Sequence, residues 1–229
     1  MPSLSRVKMK SAAFVRIVAR ICGDGYLARA RVHRSQKELL AHPRKNIIRE
    51  RFSVRYVNTE QALVKEFIED CRQVFGRQVV CRISKHEYAV QAKWIYVSLQ
   101  EQGAGNSLNW RIADVAINGS DLLKRNWLRA FFDDEGHVYQ SGIRLSSVNQ
   151  NGLTQVQGLL RELGIESVLR GPYKDRSKPH CNPIYRICIL RENVGHFSRQ
   201  VSFLHPKKKR LLATAVKRIK NGAAGTFAK

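Results

Sequence analysis

The feature that most constrains this chain is an internal repeat, in which an apolar helix ends at an acid followed by glycine. The stretch AAFVRIVARICGDG ends at Asp24-Gly25, and NWLRAFFDDEGHVY repeats the pattern at Glu135-Gly136. A carboxylate at the C-terminal end of a helix faces the negative pole of the helix dipole, which costs about 0.3–1 kcal/mol. Two such unfavourable placements in matching contexts indicate two copies of one structural unit, with the acids retained for a chemical reason.

The segments after the two acids match as well. RERFSVRYVNTEQALVKEFIEDCRQVFG is a strand pattern, a polar turn and a helix, and GIRLSSVNQNGLTQVQGLLRELGI has the same order. Each copy then closes with a strand that runs into a helix. We predict an α+β fold of two pseudo-symmetric αββαββα halves, each with a twisted antiparallel sheet, joined at a two-helix interface. The predicted boundaries are residues 1–102 for the first half, 103–122 for a linker, 123–222 for the second half and 223–229 for a basic C-terminal tail.

The helix before the first acid is predicted to be largely buried. Its charges, Arg16 and Arg20, lie four residues apart on one stripe, which leaves a wide apolar face. Ala19 and Gly23 are also four apart, and two small residues on one helix face let a second backbone approach closely. We expect the helix from Trp127 to Asp134 to pack there.

Such packing would bring Asp24 and Glu135 together at one point. Two adjacent carboxylates repel each other, and divalent cations between them and anionic oxygens make the arrangement tolerable. A metal ion held in this way can activate water and neutralise charge on a leaving oxygen. The two acids therefore predict a metal-assisted nuclease centre.

The strands that follow each acid indicate a cationic surface. In GYLARARVH and RERFSVRYV, period-two alternation separates apolar residues from arginines, and we expect Tyr26, Ala28, Ala30 and Val32 to face the core. Like charges on one strand face repel, so an arginine face is best explained by phosphates opposite it. A two-stranded ribbon fits the major groove of DNA, whereas RNA duplexes hide that groove. The predicted DNA-binding residues are Arg29, Arg31, His33, Arg49, Arg51, Ser53, Arg55, Asn58, Arg82, Tyr139, Arg144, Ser146, Asn149 and Arg186.

The overall charge supports a polyanionic partner. The chain has 41 Lys and Arg against 18 Asp and Glu, a formal net charge of +23. The acid-free segment from Lys207 onward carries only part of that excess, so the folded body is itself basic. Five scattered cysteines without a CxxC pair favour free thiols in a reducing compartment over a zinc site. No apolar stretch approaches the length of a membrane span, and we expect a cytoplasmic, nucleoid-associated protein.

IVARICGDG and LRAFFDDEG resemble the two signature helices of LAGLIDADG homing endonucleases in their single-chain, two-motif form, most like the archaeal intron-encoded members. The resemblance covers nearly the whole chain. It implies a monomer whose two sheets form a DNA-binding saddle and which cuts both strands of a long asymmetric site, leaving 3′ overhangs and promoting intron mobility. The absence of a splicing-type flanking domain favours an intron over an intein.

The resemblance also implies site residues. Asp24 and Glu135 would be the metal ligands, with Gly23 and Asp134 directly before them completing the metal site. Mg²⁺ would be the cofactor, and other divalent cations such as Mn²⁺ or Ca²⁺ would also bind. Lys207, in FLHPK, matches the place of a lysine near the metal centre, so the catalytic set is Asp24, Glu135 and Lys207.

The chain departs from the family pattern at several points. A small residue is usual where Asp134 stands, and we expect the Asp133 and Asp134 carboxylates to act as capping or supporting groups. GAGNSLNW offers Asn106 and Ser107 where the first half would need its own lysine. Asn58 and Asn149 are the candidates for holding the nucleophilic water.

Two other functions remain open at this stage. The same fold could act as an RNA maturase that assists splicing of its own intron RNA. A non-catalytic, sequence-specific DNA-binding protein is the other alternative, although such descendants usually lose one or both acids.

Overall fold

The computed structural model describes residues 10–41, 46–76, 80–140, 142–174, 177 and 180–224. Residues 225–229 of the predicted tail lie outside this part. The first half consists of α1 (Ala12–Cys22), β1 (Gly25–His33), the short α2 (Gln36–Ala41), β2 (Ile48–Val57), α3 (Gln61–Phe75), β3 (Val80–Arg82), β4 (Glu87–Val90) and α4 (Lys93–Glu101). The second half follows through α5 (Asp114–Ile117) and consists of α6 (Asp121–Glu135), β5 (Gly136–Tyr139), β6 (Gly142–Ser147), α7 (Gln150–Glu162), β7 (Val168–Tyr173), β8 (Ile184–Ile189), a 3₁₀ turn (Arg191–Asn193), α8 (Val194–Gln200) and α9 (Pro206–Ala224).

The two halves have the same sheet topology. The strand order is β1-β2-β4-β3 in one sheet and β5-β6-β8-β7 in the other, and every pair of neighbours is antiparallel. The predicted α+β fold of two αββαββα units is confirmed. Three additions among the described residues break the repeat: α2 lies in the β1–β2 connection, the 3₁₀ turn lies between β8 and α8, and α9 follows the second unit.

Each half buries one face of its sheet against helices. In the first half Tyr56 of β2 packs on Phe67 of α3, with ring centroids 4.8 Å apart. In the second half Leu145 and Ile187, paired across β6 and β8, are fully buried. The opposite face of each sheet remains open.

Helices α1 and α6 form the interface between the halves. Ser11 begins α1 by accepting a hydrogen bond from Phe14 N at its hydroxyl, and α1 ends at Cys22, two residues before the position of Asp24. A Cβ added at Gly23 would lie 2.9 Å from Asp134 Cβ, so the absence of a side chain there lets the helix ends meet. The predicted close packing is confirmed even though Asp134 is not small.

The interface is ionic on one side of the pseudo-twofold axis and aromatic on the other. Arg16 and Arg20 lie on α1, whereas the equivalent places on α6 hold Trp127 and Phe131, which pack on each other with ring centroids 4.9 Å apart. Trp110, in the connection between the halves, joins that aromatic cluster. The two copies of the unit therefore differ in chemistry at the interface where they meet.

The remaining global features agree with the sequence. All five cysteines are free thiols. Among the described residues, no helix is both long and apolar enough to cross a membrane.

Candidate active site

Asp24 lies just after α1, at the inner end of β1. Asn58 donates a hydrogen bond from Nδ2 to Asp24 Oδ2 at 2.8 Å, and the backbone N of Val57 donates to the Asp24 carbonyl at 3.2 Å. The surrounding protein raises the pKa of Asp24 by desolvation, while Lys208, Arg20 and the Asn58 hydrogen bond oppose that rise. The first acid is thus held by the residue that follows β2.

Glu135 is the last residue of α6, at the inner end of β5. Burial, reinforced by the negative charge of Asp24, raises the pKa of Glu135 to about 7, and Lys208 opposes the shift. The two acids are therefore close enough to repel each other, as the packing of α1 on α6 predicts. A carboxylate pair of this kind is stabilised by a cation.

Lys208 is the amine that the structure places against this pair. Its Nζ donates to the carbonyl oxygens of Phe132, Asp133 and Asp134 at the end of α6, where a cation suits the helix dipole. The prediction of Lys207 for this place is wrong by one residue, because Lys207 is exposed on the first turn of α9 and Lys208 lies about 100° further around it. Burial lowers the pKa of Lys208, and the surrounding carboxylates partly restore it.

Asp133 fixes the segment that carries Lys208. Its Oδ1 accepts hydrogen bonds from the backbone N of Leu204 and of His205, each at 2.9 Å, immediately before α9. This is the capping role expected of that side chain. Burial raises the pKa of Asp133, and the His205 backbone bond opposes the rise.

The Asp134 side chain is buried in the interface and shares the Asn58 amide with Asp24. Its Oδ1 accepts from Arg20 Nη1 at 3.1 Å, from Tyr56 OH at 2.9 Å and from Asn58 Nδ2 at 3.4 Å. Burial raises its pKa well above the ordinary value, against the effect of Arg20. The carboxylate is therefore a supporting group within the interface.

Arg20 connects this carboxylate to a wider ionic cluster. The Arg20 side chain is fully buried, and its Nη2 donates to Glu66 Oε2 at 2.7 Å. Arg129 donates to the other oxygen of Glu66 at 2.5 Å. Burial lowers the pKa of Arg20, but the nearby Asp134, Tyr56 and Glu66 more than compensate, so its pKa is raised. The sequence analysis did not predict this cluster. The available signal was the presence of arginines on an otherwise apolar helix, which indicates buried acidic partners.

The open face of the first sheet differs from the predicted one. The register pairs Tyr26 with Arg55 and Ala30 with Arg51, so these residues share one face, while Leu27 lies with Val54 on the helix-covered face. The prediction that Tyr26, Ala28, Ala30 and Val32 face the core is therefore wrong. Strand β1 extends past the helices, so its alternation of small apolar residues with arginines did not reveal which set is covered.

Arg29, Arg31 and His33 consequently lie on the opposite face from Arg51 and Arg55. Arg29 pairs with Glu50 and lies over the ring of Phe52 at 5.6 Å. The prediction that these three residues share one DNA-binding face with Arg51 and Arg55 is wrong.

Arginine and tyrosine pairs define the open face of the first sheet. Arg55 lies over the Tyr26 ring at 5.9 Å and donates to Glu87 at 2.6 Å, and Arg51 donates to Gln91 at 2.8 Å. Arg49 shares this face and pairs with Glu38 of α2 at 2.5 Å.

Ser53 and Arg82, both predicted to contact DNA, are not exposed side chains of the open face. Ser53 is only 3% exposed, and its hydroxyl accepts from Arg55 Nε, so it supports that arginine from below. Arg82 pairs with Tyr88 on the helix-covered face and donates to the carbonyls of Ser84 and Lys85, which braces the β3–β4 turn.

The second sheet presents the face that the sequence predicted. Arg144, Ser146 and Arg186 share its open side, and Tyr139 lies there with Arg144 over its ring at 5.5 Å. The register adds Arg170 and His137, which sequence reasoning missed and which cross-strand alternation from Arg186 and Arg144 could have found. Arg186 is also stacked over Tyr173, at 4.4 Å.

Asn58 and Asn149, equivalent in the repeat, have different surroundings. Asn149 is buried; its Oδ1 accepts from Gly152 N to cap α7, and its Nδ2 donates to the carbonyl of Trp110 at 2.6 Å. Its predicted role as a DNA or water ligand is wrong, because the connection between the halves covers it. Asn58 instead lies beside Asp24.

The donor atoms at the centre are the kind that Mg²⁺ and related cations prefer. Asp24 and Glu135 offer carboxylates, whereas the carbonyl of Asp134, predicted as part of the metal site, accepts from Lys208 Nζ at 3.0 Å. Within the described residues there is no group of three or more His, Cys, Asp or Glu side chains that could hold a metal by itself. A cation bound here would therefore need further oxygens from a substrate or water.

Comparisons with known proteins agree with this architecture. A family model described as a LAGLIDADG-like domain matches residues 122–202. Variants of the homing endonuclease I-DmoI superpose with a TM-score of 0.62 at 15% identity, covering 89% of this chain and 98% of that one. The LAGLIDADG homing endonuclease I-GzeII, in complex with its DNA target, gives a TM-score of 0.54 at 11% identity over 94% of this chain and 92% of that one.

One curated relative is a longer protein of another kind. The ribonucleoside-diphosphate reductase large subunit of Invertebrate iridescent virus 6 is 28% identical over 102 residues, which are 38% of this chain and only 11% of that protein. The matched family and the superposed structures are more informative about architecture. Residues 122–202 match a LAGLIDADG-like domain, and the described part of the chain has the two-domain LAGLIDADG fold seen in I-DmoI.

Proposed function

We propose that this chain is a homing endonuclease that makes a metal-dependent double-strand break in a long, asymmetric DNA target. The observation that carries the proposal is the meeting of the ends of α1 and α6, where a Cβ on Gly23 would lie 2.9 Å from Asp134 Cβ. Asp24 and Glu135 each follow directly, where β1 and β5 begin. Each acid thus lies at the inner end of a sheet whose open face carries arginines. I-DmoI and I-GzeII, which share the fold, are seen in complexes with DNA and support the choice of substrate.

Asp24 and Glu135 would hold the divalent cation, and further oxygens would come from the DNA or from water. A bound cation of this type activates water and neutralises charge on the leaving oxygen. Lys208 adds a positive charge that its three carbonyl contacts fix at the end of α6. Structures of I-DmoI with Mn, Mg or Ca support a divalent ion, with Mg²⁺ as our choice for this chain.

The open sheet faces would position the duplex and select its sequence. Arginine can pair with guanine edges in the major groove, and serine or histidine can contact other bases. The first sheet offers Arg51 and Arg55, whereas the second offers His137, Arg144 and Arg170. Since the two faces differ, a single chain would recognise a target whose half-sites differ.

The biological setting belongs to the same proposal. A double-strand break in an allele that lacks the coding element would promote the spread of a host intron, and the chain would act as a monomer. Five free thiols and a DNA substrate fit a cytoplasmic, nucleoid-associated protein.

The test is selection of cleaved sites from random and genomic DNA pools, with Mg²⁺, with Mn²⁺ and with a chelator. We expect one enriched, non-palindromic site cut on both strands only when a divalent cation is present. Binding without cleavage under every condition would support the non-catalytic alternative. Faster splicing of an intron RNA by a variant lacking both acids would support the maturase alternative.

A further inference from the structure

The first β-hairpins of the two halves differ in length. Strand β1 has nine residues, and its pairing with β2 continues as far as His33 opposite Ile48. Strand β5 has four residues, and its pairing with β6 ends at Tyr139 opposite Gly142. Both strands run outward from the acid that precedes them. The hairpin of the first half therefore extends about five residues further from the acids, which is ~17 Å at about 3.3 Å per residue.

The other strands of the second sheet end at the same level as the short hairpin. Ile143 of β6 pairs with Ile189, the last residue of β8, and β7 begins with Val168 opposite Cys188. A base pair occupies about 3.4 Å of the DNA axis, so the difference of ~17 Å corresponds to about five base pairs. The second sheet thus ends well before the distance from the acids that the first sheet reaches.

Helix α9 runs outward along the edge of the short hairpin. It begins beside the acids, where Lys208 contacts the end of α6. Two turns later, Thr214 and Arg218 line a cavity of about 290 Å³ together with Val138 and Tyr139 of β5. Tyr139 belongs to the open face of the second sheet, so α9 flanks the side on which the sheet would meet DNA.

The outer part of α9 also passes the end of the hairpin. Arg218 and Ile219 line a second cavity, of about 240 Å³, with Gln140, the residue directly after β5. Among the described residues, the first half has no counterpart of α9. Each half therefore has one outward extension: a long hairpin in the first half and a helix in the second.

The exposed side of α9 is basic. At 100° per residue, five exposed positions fall within an arc of about 100° and form the α9 stripe. They are Arg210, Thr214, Lys217, Arg218 and Asn221. The chain has no acid from residue 193 to its end, so these cations have no acidic neighbour on their own helix. Cations that share one helix face repel one another, and an anion bound along the stripe would relieve that repulsion.

Arg191 adds a further charge at the outer end of the stripe. It follows β8 and lines the second cavity opposite Arg218, and no described carboxylate lines that cavity. Guanidinium groups bind phosphate oxygens with two parallel hydrogen bonds, so two arginines around one cavity suit a phosphate group. The geometry and the charge together favour a polyanion that runs past the end of β5.

We propose that α9 is a second DNA-binding surface, on which the α9 stripe and Arg191 bind backbone phosphates just beyond the bases that the second sheet contacts. This inference rests on the proposed endonuclease function. Phosphate contacts hold the duplex in position without reading its sequence. The outer part of the first half-site would therefore be read along the long hairpin, whereas the corresponding part of the second half-site would be bound but not read.

The experiment first compares duplexes with the wild-type chain. Each duplex carries the site recovered by selection, and the segment that varies is the outermost part of the second half-site, about five base pairs long. Anisotropy without divalent cations measures affinity while the DNA stays intact. Scrambling the sequence of this segment should leave the Kd unchanged, whereas deleting the segment should weaken binding several-fold. Scrambling the mirror-related segment of the first half-site should weaken binding.

A double variant locates the contact on α9. Lys217→Gln combined with Arg218→Gln should lower the slope of log K against log salt by about 1.8 if each residue neutralises one phosphate. It should also bind the full and the shortened duplex equally well. Lys65→Gln combined with Arg72→Gln is the matched control, because it removes two exposed charges from α3, on the helix-covered side of the first sheet. The control should keep the wild-type slope and the wild-type response to deletion.

Equal affinity of the wild-type chain for the full and the shortened duplex would overturn the inference, and that comparison needs no variant. Equal slope changes in the two double variants would also overturn it. So would weaker binding of a structured RNA by the α9 double variant with unchanged binding of DNA, since the stripe would then bind RNA. In all these cases the selected site is still cut and the endonuclease stands. Failure of selection to recover any cleaved site would contradict the proposed function, and this inference with it.

Discussion

Arg20 of α1 and Asp134 of α6 form a buried ion pair across the interface between the halves, with Arg20 Nη1 3.1 Å from Asp134 Oδ1. Both side chains have no exposed surface, and the arginine is shared with Glu66. Removing one member of such a pair leaves a buried charge without compensation. The pair therefore constrains how α1 and α6 meet, and with them the two acids that follow.

The first prediction concerns this ion pair. Arg20→Met should lower the free energy of unfolding by about 3–5 kcal/mol, because Asp134 and Glu66 lose their buried partner. Arg111→Met is the control, since Arg111 and Asp114 form an exposed pair that should contribute less than about 1 kcal/mol. Urea unfolding followed by circular dichroism measures both. Similar losses for the two variants would contradict the stabilising role of the Arg20 contacts.

The second prediction concerns the first acid. Asp24→Asn should abolish double-strand cleavage, because the amide cannot supply a carboxylate ligand to the cation. The Kd for the target should change less than about threefold, which is roughly 0.6 kcal/mol, since the open sheet faces are untouched. Cleavage of supercoiled target DNA and fluorescence anisotropy measure the two quantities. Retention of double-strand cleavage by this variant would count against the proposed site.

The acids could be recognised from the sequence because the repeat places each at a helix end followed by glycine. The sequence could not decide between Lys207 and Lys208, since the rotation of α9 depends on how Asp133 holds the preceding backbone. Nor could the local pattern separate Asn58 from Asn149, since each follows a valine shortly before a helix. A tertiary contact distinguishes the two asparagines, since the Trp110 carbonyl accepts from the side chain of Asn149.

The local sequence pattern also could not show which face of β1 is covered by helices. Half-buried strands are assigned by which alternate residues are apolar. Tyr26 and Leu27 are both apolar, and the arginines further along extend beyond the helices, so they stay exposed on either face. The pairing of β1 with β2 identifies the covered face, because residues directly opposite each other in an antiparallel pair share a face.

The third prediction separates the two neighbouring lysines. Lys208→Met should reduce the cleavage rate by ~10²-fold, because a positive charge fixed beside both acids is lost. Lys207→Met removes the same charge from an exposed position one residue away and should have little effect on the rate. Single-turnover cleavage with enzyme in excess measures the rate separately from binding. Equal losses for the two variants would argue for a general effect of charge on DNA affinity.

The fourth prediction concerns pH and the second acid. The folded protein holds the Glu135 pKa at about 7, above its ordinary value of 4.5, so the folded chain keeps this proton longer than the unfolded chain. The contribution of Glu135 to stability should therefore fall by ~2–3 kcal/mol as pH rises from about 4.5 to 7. Thermal unfolding of the metal-free protein across this range measures the change.

Glu135→Gln is the control for that titration and should flatten the pH dependence in the same range. Addition of Ca²⁺ should stabilise the wild-type chain more at pH 8 than at pH 5, because the cation competes with the proton for the acid pair. An identical pH profile for Glu135→Gln and the wild type would contradict the raised pKa.

The fifth prediction concerns the open face of the first sheet. The register places Arg51 on that face, whereas Arg29 lies on the other side and pairs with Glu50. If Arg51 neutralises one phosphate, Arg51→Gln should reduce the slope of log K against log salt by about 0.9. Arg29→Gln removes an equal charge and should leave the slope unchanged, so total charge cannot explain a difference between the variants. Anisotropy titrations at several salt concentrations measure the slopes, and a larger effect from Arg29→Gln would show that the duplex contacts the opposite face of the sheet.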